Sequence, residues 1–245
     1  MVLAIEREIG YQFRNRGLLR SATGTWRRAF GPLEHLGDTI ADLAVAVTCH
    51  LQGGDAESAA QIVANANLER VFSSRLRRLV SPETGDVIEA LVGAVHLDGG
   101  FDEAAAVTNR LLVEGVPWRP IEVRKVERLA GTDGPVWLGS LVFDAVVADR
   151  VVELRGIAAT SQRELSTTRS VRTSNSALER LVVLPEVRRH LSTDIGDVRG
   201  LKSATASTLL GHGWSTTREL VVAVLEAGGP LARTGRRGGL RQPRR

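Results

Sequence analysis

The sequence predicts an all-α protein made of two similar helical domains, and three observations support this fold class. Apolar residues recur at steps of three and four, as in the set Leu33, Leu36, Ile40, Leu43 and Val47. This spacing places them on one face of a helix. Alternating apolar and polar stretches joined by hairpin turns, the pattern of β-strands, are missing. Several residues of the first half also recur in the same order in the second half.

The helical spacing recurs at three later places in the chain. The apolar residues that show it are Ile88, Leu91, Val92 and Val95, then Leu141, Val142, Ala145, Val146 and Val152, and finally Leu220, Val221, Val224 and Leu225. Glycine and proline separate these segments at residues 53–54, 99–100, 116–120, 131–135 and 228–230, where helices are expected to end. The chain is therefore predicted to be a series of helices joined by short breaks.

The break at residues 116–120 is the best domain boundary, because residues on its two sides match. The matches are Leu36, Gly37 and Asp42 with Leu138, Gly139 and Asp144; Asn65, Leu68, Glu69 and Arg70 with Asn175, Leu178, Glu179 and Arg180; and Gly100 and Phe101 with Gly213 and Trp214. The offsets grow slowly, from 102 to 110 to 113 positions, which indicates a duplicated domain with small insertions. We therefore predict domains at residues 1–116 and 117–230, followed by a flexible tail at 231–245.

The positive charge of the chain is concentrated in this tail. The formal net charge is +4, and residues 233–245 hold six arginines and no acid, so the rest of the chain stands at about −2. Such a tail is typical of a solvated terminus, although it is also able to bind phosphate backbones. The high isoelectric point therefore identifies no partner by itself.

The composition excludes several classes of protein. No apolar run approaches the roughly 20 residues of a membrane-spanning helix, and Glu6, Arg7 and Glu8 stand where an export signal is apolar. Cys49 is the only cysteine, so one chain forms neither a disulfide nor a thiolate zinc site. We expect a cytoplasmic protein that binds no membrane.

Four carboxylates are the candidate functional residues. Glu34 and Asp38 are four residues apart, and Asp86 and Glu89 are three apart, so each pair shares one face of a helix. The second of these faces continues through Gly93, whose small size lets another helix approach closely. The two helix faces that carry the carboxylates are then able to meet.

Four carboxylates pressed together near a core are destabilising unless a cation neutralises them. Ligation by oxygen alone suits Mg²⁺ or Mn²⁺ better than zinc. A metal held in this way is equipped for phosphodiester hydrolysis, because it lowers the pKa of a bound water and stabilises charge on the leaving oxygen. The competing interpretation is that these acids are solvated surface residues or serve helix N-termini.

Three segments of the first domain resemble the ribonuclease III family. Residues 32–45, PLEHLGDTIADLAV, resemble its signature helix, and residues 85–104, GDVIEALVGAVHLDGGFDEA, resemble its second acidic helix. The opening IGYQFRNRGLLRSA, residues 9–22, resembles the N-terminal segment of the family. The resemblance implies a metal site whose catalytic ligands are Glu34, Asp38, Asp86 and Glu89.

The second domain resembles the same family with its acids replaced. Residues 135–147, PVWLGSLVFDAVV, resemble the signature helix, and residues 161–181, SQRELSTTRSVRTSNSALERL, resemble another family segment. The places of the four acids are taken by Val136, Ser140, Arg199 and Lys202. This degenerate domain is therefore expected to bind no cation.

The resemblance also implies an assembly and a substrate. Members of this family work as dimers in which two domains form a valley for double-stranded RNA, and one metal centre per domain cuts one strand. A fused pair is able to build that valley within one chain, as an intramolecular pseudo-dimer. We therefore predict an Mg²⁺- or Mn²⁺-dependent endoribonuclease for structured or double-stranded RNA. Its single centre would nick one strand, and a double cut would need a homodimer or a related partner chain.

Departures from the family pattern leave other functions open. Gly31 stands where the family has a further glutamate, and no double-stranded RNA-binding domain is recognised after residue 229. His35, between two proposed ligands, is either a proton carrier or a packing residue. The chain is alternatively a non-catalytic RNA- or protein-binding scaffold, or an enzyme that uses this fold on a small anionic metabolite.

Overall fold

The computed structural model describes residues 2–24, 27–80, 85–113, 135–191 and 195–231. Helices contain 82% of these residues, which form no β-strand, so the predicted all-α fold class is confirmed. The predicted domain boundary at 116–120 and the arginines of the predicted tail lie outside the described residues. None of the described helices combines the length and the apolar character needed to span a membrane.

The helices fall on the two sides of the undescribed segment 114–134. Those before it are α1 (Val2–Ile9), α2 (Arg16–Ala22), α3 (Arg27–Leu51), α4 (Ala56–Val63), α5 (Asn65–Val71), α6 (Asp86–Gly99) and α7 (Phe101–Leu112), with a π-helical turn at Phe72–Leu76. Those after it are α8 (Val136–Arg155), α9 (Gln162–Thr173), α10 (Asn175–Val182), α11 (Pro185–His190) and α12 (Val198–Ala227), with a 3-10 turn at Ile157–Ala159. Each apolar set identified in the sequence lies within one of these helices.

Capping side chains fix where several of these helices begin. Asp55 accepts a hydrogen bond from the backbone N–H of Ser58 at 2.9 Å before α4, and Asp197 accepts one from Gly200 at 2.7 Å before α12. Such bonds satisfy N–H groups that have no partner in the first turn of a helix. The helix starts are therefore local consequences of the sequence.

Gly100 separates α6 from α7, and Gly213 breaks α12 in the same way. Their φ and ψ angles are 93° and −178° at Gly100, and 75° and −177° at Gly213. A positive φ costs glycine little because it has no Cβ. The two glycines are matched in the sequence repeat, so the two halves of the chain bend at corresponding positions.

Helix α3 is the central element of the core. Its residues Leu33, Leu36, Ile40 and Leu43 are fully buried, and each buried side chain of this kind stabilises the fold by about 2 kcal/mol. The helix packs against α2, α4, α6 and α7, and also against α8 and α9 from the second half. It therefore lies both in the core and on the contact between the two halves.

Aromatic stacking and a polar network join the two halves. The rings of Phe101 and Trp214 are stacked, with centroids 4.7 Å apart and planes inclined by 18°. Nε2 of His96 lies 2.9 Å from Oδ1 of Asp149, and Arg218 donates a hydrogen bond to the other carboxylate oxygen of Asp149. These contacts link α6 and α7 to α8 and α12.

Candidate functional site

Helices α3 and α6 cross at two glycines. A Cβ placed on Gly37 would lie 1.7 Å from the carbonyl oxygen of Glu89, and a Cβ placed on Gly93 would lie 2.2 Å from that of Leu33. No side chain fits at either position, so the two backbones touch. The sequence pattern predicts the close approach at Gly93, whereas the contact of Gly37 is visible only in the structure.

The four predicted site residues, here called the acidic cluster, lie on the two helices that meet at this crossing. Glu34 and Asp38 lie on α3, before and after Gly37 in the chain, and Asp86 and Glu89 lie in the first turn of α6. Burial raises the pKa of Glu89 to about 8, and the charges of Asp38, Glu34 and Asp86 add to this rise. The carboxylates are therefore near enough to repel one another.

Two further members of the acidic cluster also hold protons more tightly than usual. Burial raises the pKa of Glu34, and the charges of Asp86 and Asp38 raise it further, against a hydrogen bond from Gln162. Burial likewise raises the pKa of Asp38, although the positive charge of Arg169 opposes the change. Only Asp86 is exposed. Most of the acidic cluster is thus partly shielded from water.

The donor chemistry of the acidic cluster suits a divalent cation. Carboxylate oxygens are the ligands that Mg²⁺ and Mn²⁺ prefer, and a cation relieves the repulsion between them. As the side chains stand, no group of three or more His, Cys, Asp or Glu residues within the described ranges is arranged to hold a metal ion. Metal binding therefore requires these side chains to rotate toward a common centre. The helices themselves already touch and need not move.

A fifth carboxylate, Asp42, lies one turn beyond Asp38 on α3. Burial is the largest cause that raises its pKa to about 7, followed by the charge of Asp38, and the charge of Asp144 on α8 contributes as well. Burial also raises the pKa of Asp144. The sequence marks Asp42 and Asp144 only as repeated residues, because linear spacing does not show that the two copies face each other.

Two side chains of the second half, both on α9, contact the acidic cluster. Gln162 donates a hydrogen bond from Nε2 to Oε1 of Glu34 at 3.2 Å, and Nη1 of Arg169 lies 3.7 Å from Oδ2 of Asp38. Gln162 and Glu34 are 128 positions apart, which is too far for a periodic pattern to connect them. Sequence reasoning therefore missed both residues.

His35 is buried on α3, beside Glu34 in the chain. Burial, followed by the charge of Arg169, lowers its pKa to about 4, so its imidazole is neutral at pH 7. Its Nε2 atom is buried without a hydrogen-bond partner in the part of the chain that the structure describes. Of the two roles that the sequence leaves open for His35, the structure favours packing between helices.

The second half repeats the helix crossing with different side chains. A Cβ on Gly139 would lie 1.9 Å from the carbonyl oxygen of Lys202, just as one on Gly37 would lie 1.7 Å from that of Glu89. Lys202 therefore takes the structural place of Glu89. Alignment of the two halves in the sequence predicts the same pairing of Lys202 with Glu89.

No protein-family model matches this chain. The chain is 27% identical to Ribonuclease 3 from Thiobacillus denitrificans, and the match covers 62% of this chain and 86% of that protein. This similarity supports a distant ribonuclease III-like relationship, in agreement with the motifs on α3 and α6.

Proposed function

We propose that this chain is a metal-dependent endoribonuclease that cuts one strand of structured or double-stranded RNA. The similarity to Ribonuclease 3 supports an endoribonuclease at the level of the family. The observation that carries the proposal is the crossing of α3 and α6, where the charges of Asp38, Glu34 and Asp86 act on Glu89. The touching backbones keep these acids close together, so the acids repel one another. A bound cation would relieve this repulsion.

In the proposed site, the acidic cluster holds Mg²⁺ or Mn²⁺. A cation bound there supplies a water of lowered pKa and stabilises negative charge on the leaving oxygen. Carboxylates bind metal in their ionised form, so binding would release the proton that Glu89 retains at neutral pH. Gln162 and Arg169 contact Glu34 and Asp38 from α9 and restrict the orientations of these two ligands.

We further propose that residues 1–116 and 117–230 form a pseudo-dimer with a single acidic centre. The stacked rings of Phe101 and Trp214 support this arrangement, because matched residues of two copies meet only near the axis that relates the copies. Val136 stands in the second domain where Glu34 stands in the first, and it offers no ligand. One chain is therefore expected to nick one strand, and a second chain would be needed for a double cut.

The experiment that tests this function follows the cleavage of an end-labelled RNA duplex. The unmodified chain is expected to nick one strand only when Mg²⁺ or Mn²⁺ is added. Asp38→Asn and Glu89→Gln each keep the volume of the side chain but remove a ligand charge. Each is expected to reduce cleavage by roughly 10- to 100-fold or more, the loss typical of a disturbed metal site.

Glu219→Gln is the matched control for these variants, because Glu219 is an exposed acid on α12 outside the acidic cluster. Its cleavage rate is expected to equal that of the unmodified chain. Mn²⁺ binding, measured by calorimetry, gives a second readout that should weaken in Asp38→Asn and not in Glu219→Gln. Duplex binding without any metal-dependent cutting would contradict the enzyme and favour the scaffold.

A further inference from the structure

The second half of the chain contains a cavity at the start of α12. Its volume is about 580 Å³, and its lining includes Val136, Asn175, Glu179, Arg199 and Lys202. Arg199 and Lys202 are three residues apart on the helix, so they share one of its faces. The cavity therefore presents two cations side by side.

This cavity stands in the second half where the acidic cluster stands in the first. The backbone contact between Gly139 and Lys202 repeats the contact between Gly37 and Glu89. Arg199 lies three residues before Lys202, at the position that an acid occupies on α6. Two carboxyl groups of the first half are thus replaced by two cationic side chains at the corresponding positions.

Both cations are available to a ligand. Lys202 donates from Nζ to Oδ1 of Asn175 at 2.9 Å, which holds the ammonium group at the cavity lining and leaves two N–H donors. Arg199 is exposed, and its guanidinium group forms no ion pair within the described part of the chain. The charge of Lys202 also lowers the pKa of Asp144, but neither cation forms an ion pair with a carboxylate of the described residues.

Two carboxylates also line the cavity, but they are not paired with these cations. Oδ1 of Asp197 accepts the hydrogen bond from Gly200 that caps α12. Glu179 comes from α10 and is exposed, so water and salt screen its charge. Arg199 and Lys202 come from one helix face, and they reach a ligand together.

We propose that this cavity binds a backbone phosphate of the RNA strand that the acidic cluster does not cut. The inference rests on the proposed function and deepens it, because it gives the second strand a binding site. A guanidinium and an ammonium group bind a phosphodiester directly, whereas carboxylates need a cation between themselves and the phosphate. The second half therefore holds RNA without metal.

The test is the binding of duplex RNA, without divalent cations, by the full chain and by the double variant Arg199→Gln with Lys202→Gln. The logarithm of the binding constant falls with the logarithm of salt concentration, in proportion to the number of phosphates contacted. Loss of this one phosphate contact is expected to reduce the slope by about 1. Thermal unfolding of the variant checks that the fold is retained.

Two further variants sharpen the comparison. Arg7→Gln with Arg20→Gln removes the same charge from exposed positions on α1 and α2 and is expected to leave the slope unchanged. Glu179→Gln removes a carboxylate from the cavity lining, and it is expected to tighten duplex binding because the repulsion of the phosphate falls.

The outcomes separate this inference from the proposed function. If the variant at Arg199 and Lys202 keeps the full slope while the unmodified chain nicks RNA with Mg²⁺, the inference is overturned and the function stands. Equal losses in both double variants also overturn it, because overall charge would then explain binding. If calorimetry shows that the cavity variant has lost inorganic phosphate binding while it keeps the full slope with duplex RNA, the inference is also overturned, because the cavity then serves a small phosphorylated ligand. A chain that neither binds nor nicks duplex RNA overturns both proposals.

Discussion

At the scale of single residues, the candidate site depends on two glycines, which have no side chain, as much as on the acids. A substitution such as Glu89→Gln keeps the side-chain volume and leaves the helix contact in place. Any side chain added at Gly37 must instead displace the carbonyl group of Glu89. A backbone cannot move aside as a flexible side chain does, because the interior is closely packed. Gly37 and Gly93 therefore set the distance between the two helices that carry the acidic cluster.

Gly37→Ala is expected to lower the free energy of unfolding by about 3 kcal/mol or more, at the upper end of what overpacking costs. The added methyl group would force α3 and α6 apart. Urea unfolding measures the loss. Gly196→Ala is the matched control, because nothing lies within 4 Å of a Cβ at Gly196, and we expect a change below about 0.5 kcal/mol. Similar losses in the two variants would show that the crossing is looser than described.

At the scale of helices, a buried polar network holds α6, α8 and α12 together. Burial is the largest influence on the pKa of Asp149 and raises it, but the hydrogen bonds and charges of His96 and Arg218 outweigh burial and lower the pKa. Arg218 also donates a hydrogen bond to Glu153 at 2.6 Å. The ionised form of Asp149 is therefore bound by groups on two other helices.

Asp149→Asn is expected to cost about 3 kcal/mol of stability at pH 7, because it leaves a buried ion pair without one partner. A carboxylate with a lowered folded pKa stabilises the fold above its ordinary pKa of 3.8. That contribution is lost as the pH falls through the folded value. The difference between the unmodified chain and the variant should thus shrink as the pH falls below about 4.

Thermal unfolding followed by circular dichroism at several pH values measures this difference. Glu186→Gln is the control, since Glu186 pairs with Arg189 on the surface of α11, and exposed pairs contribute less than about 1 kcal/mol. A difference for Asp149→Asn that is the same at pH 3 and pH 7 would mean that its carboxylate is not held in the ionised form.

At the scale of the whole molecule, Glu89 of the acidic cluster and the neighbouring Asp42 give the metal-free chain a pH dependence of the opposite sense. Glu89, with a pKa of about 8, and Asp42, with a pKa of about 7, keep protons in the folded chain. The unfolded chain releases these protons near pH 4.5 and 3.8. Between these limits the folded state binds more protons, so raising the pH favours unfolding.

Without divalent cations, the free energy of unfolding is therefore expected to fall as the pH rises from about 5 to 8, by up to roughly 1.4 kcal/mol per pH unit for each retained proton. Mg²⁺ or Mn²⁺ is expected to remove most of this dependence, because a cation replaces the protons. Glu89→Gln should reduce it even without metal. Urea unfolding across this range measures the effect. A stability that is flat from pH 5 to 8 would show that burial and neighbouring charges do not raise the pKa of these two carboxyl groups.

The sequence by itself determined the helices and part of the candidate site. The all-α class, the four apolar sets and the small contact residue Gly93 follow from spacings of three and four residues, because a helix turns a linear period into a face. The motifs of α3 and α6 also mark Glu34, Asp38, Asp86 and Glu89 as candidates, and their metal-binding role stays a prediction.

Only the tertiary structure decided which distant side chains meet. It brings Gln162 to Glu34 and Arg169 to Asp38, and it gives His96 a role at the contact between the halves. Such contacts depend on how helices pack rather than on any period within one helix. The linear sequence encodes them only through the shape of the folded chain, and for that reason local spacing does not reveal them.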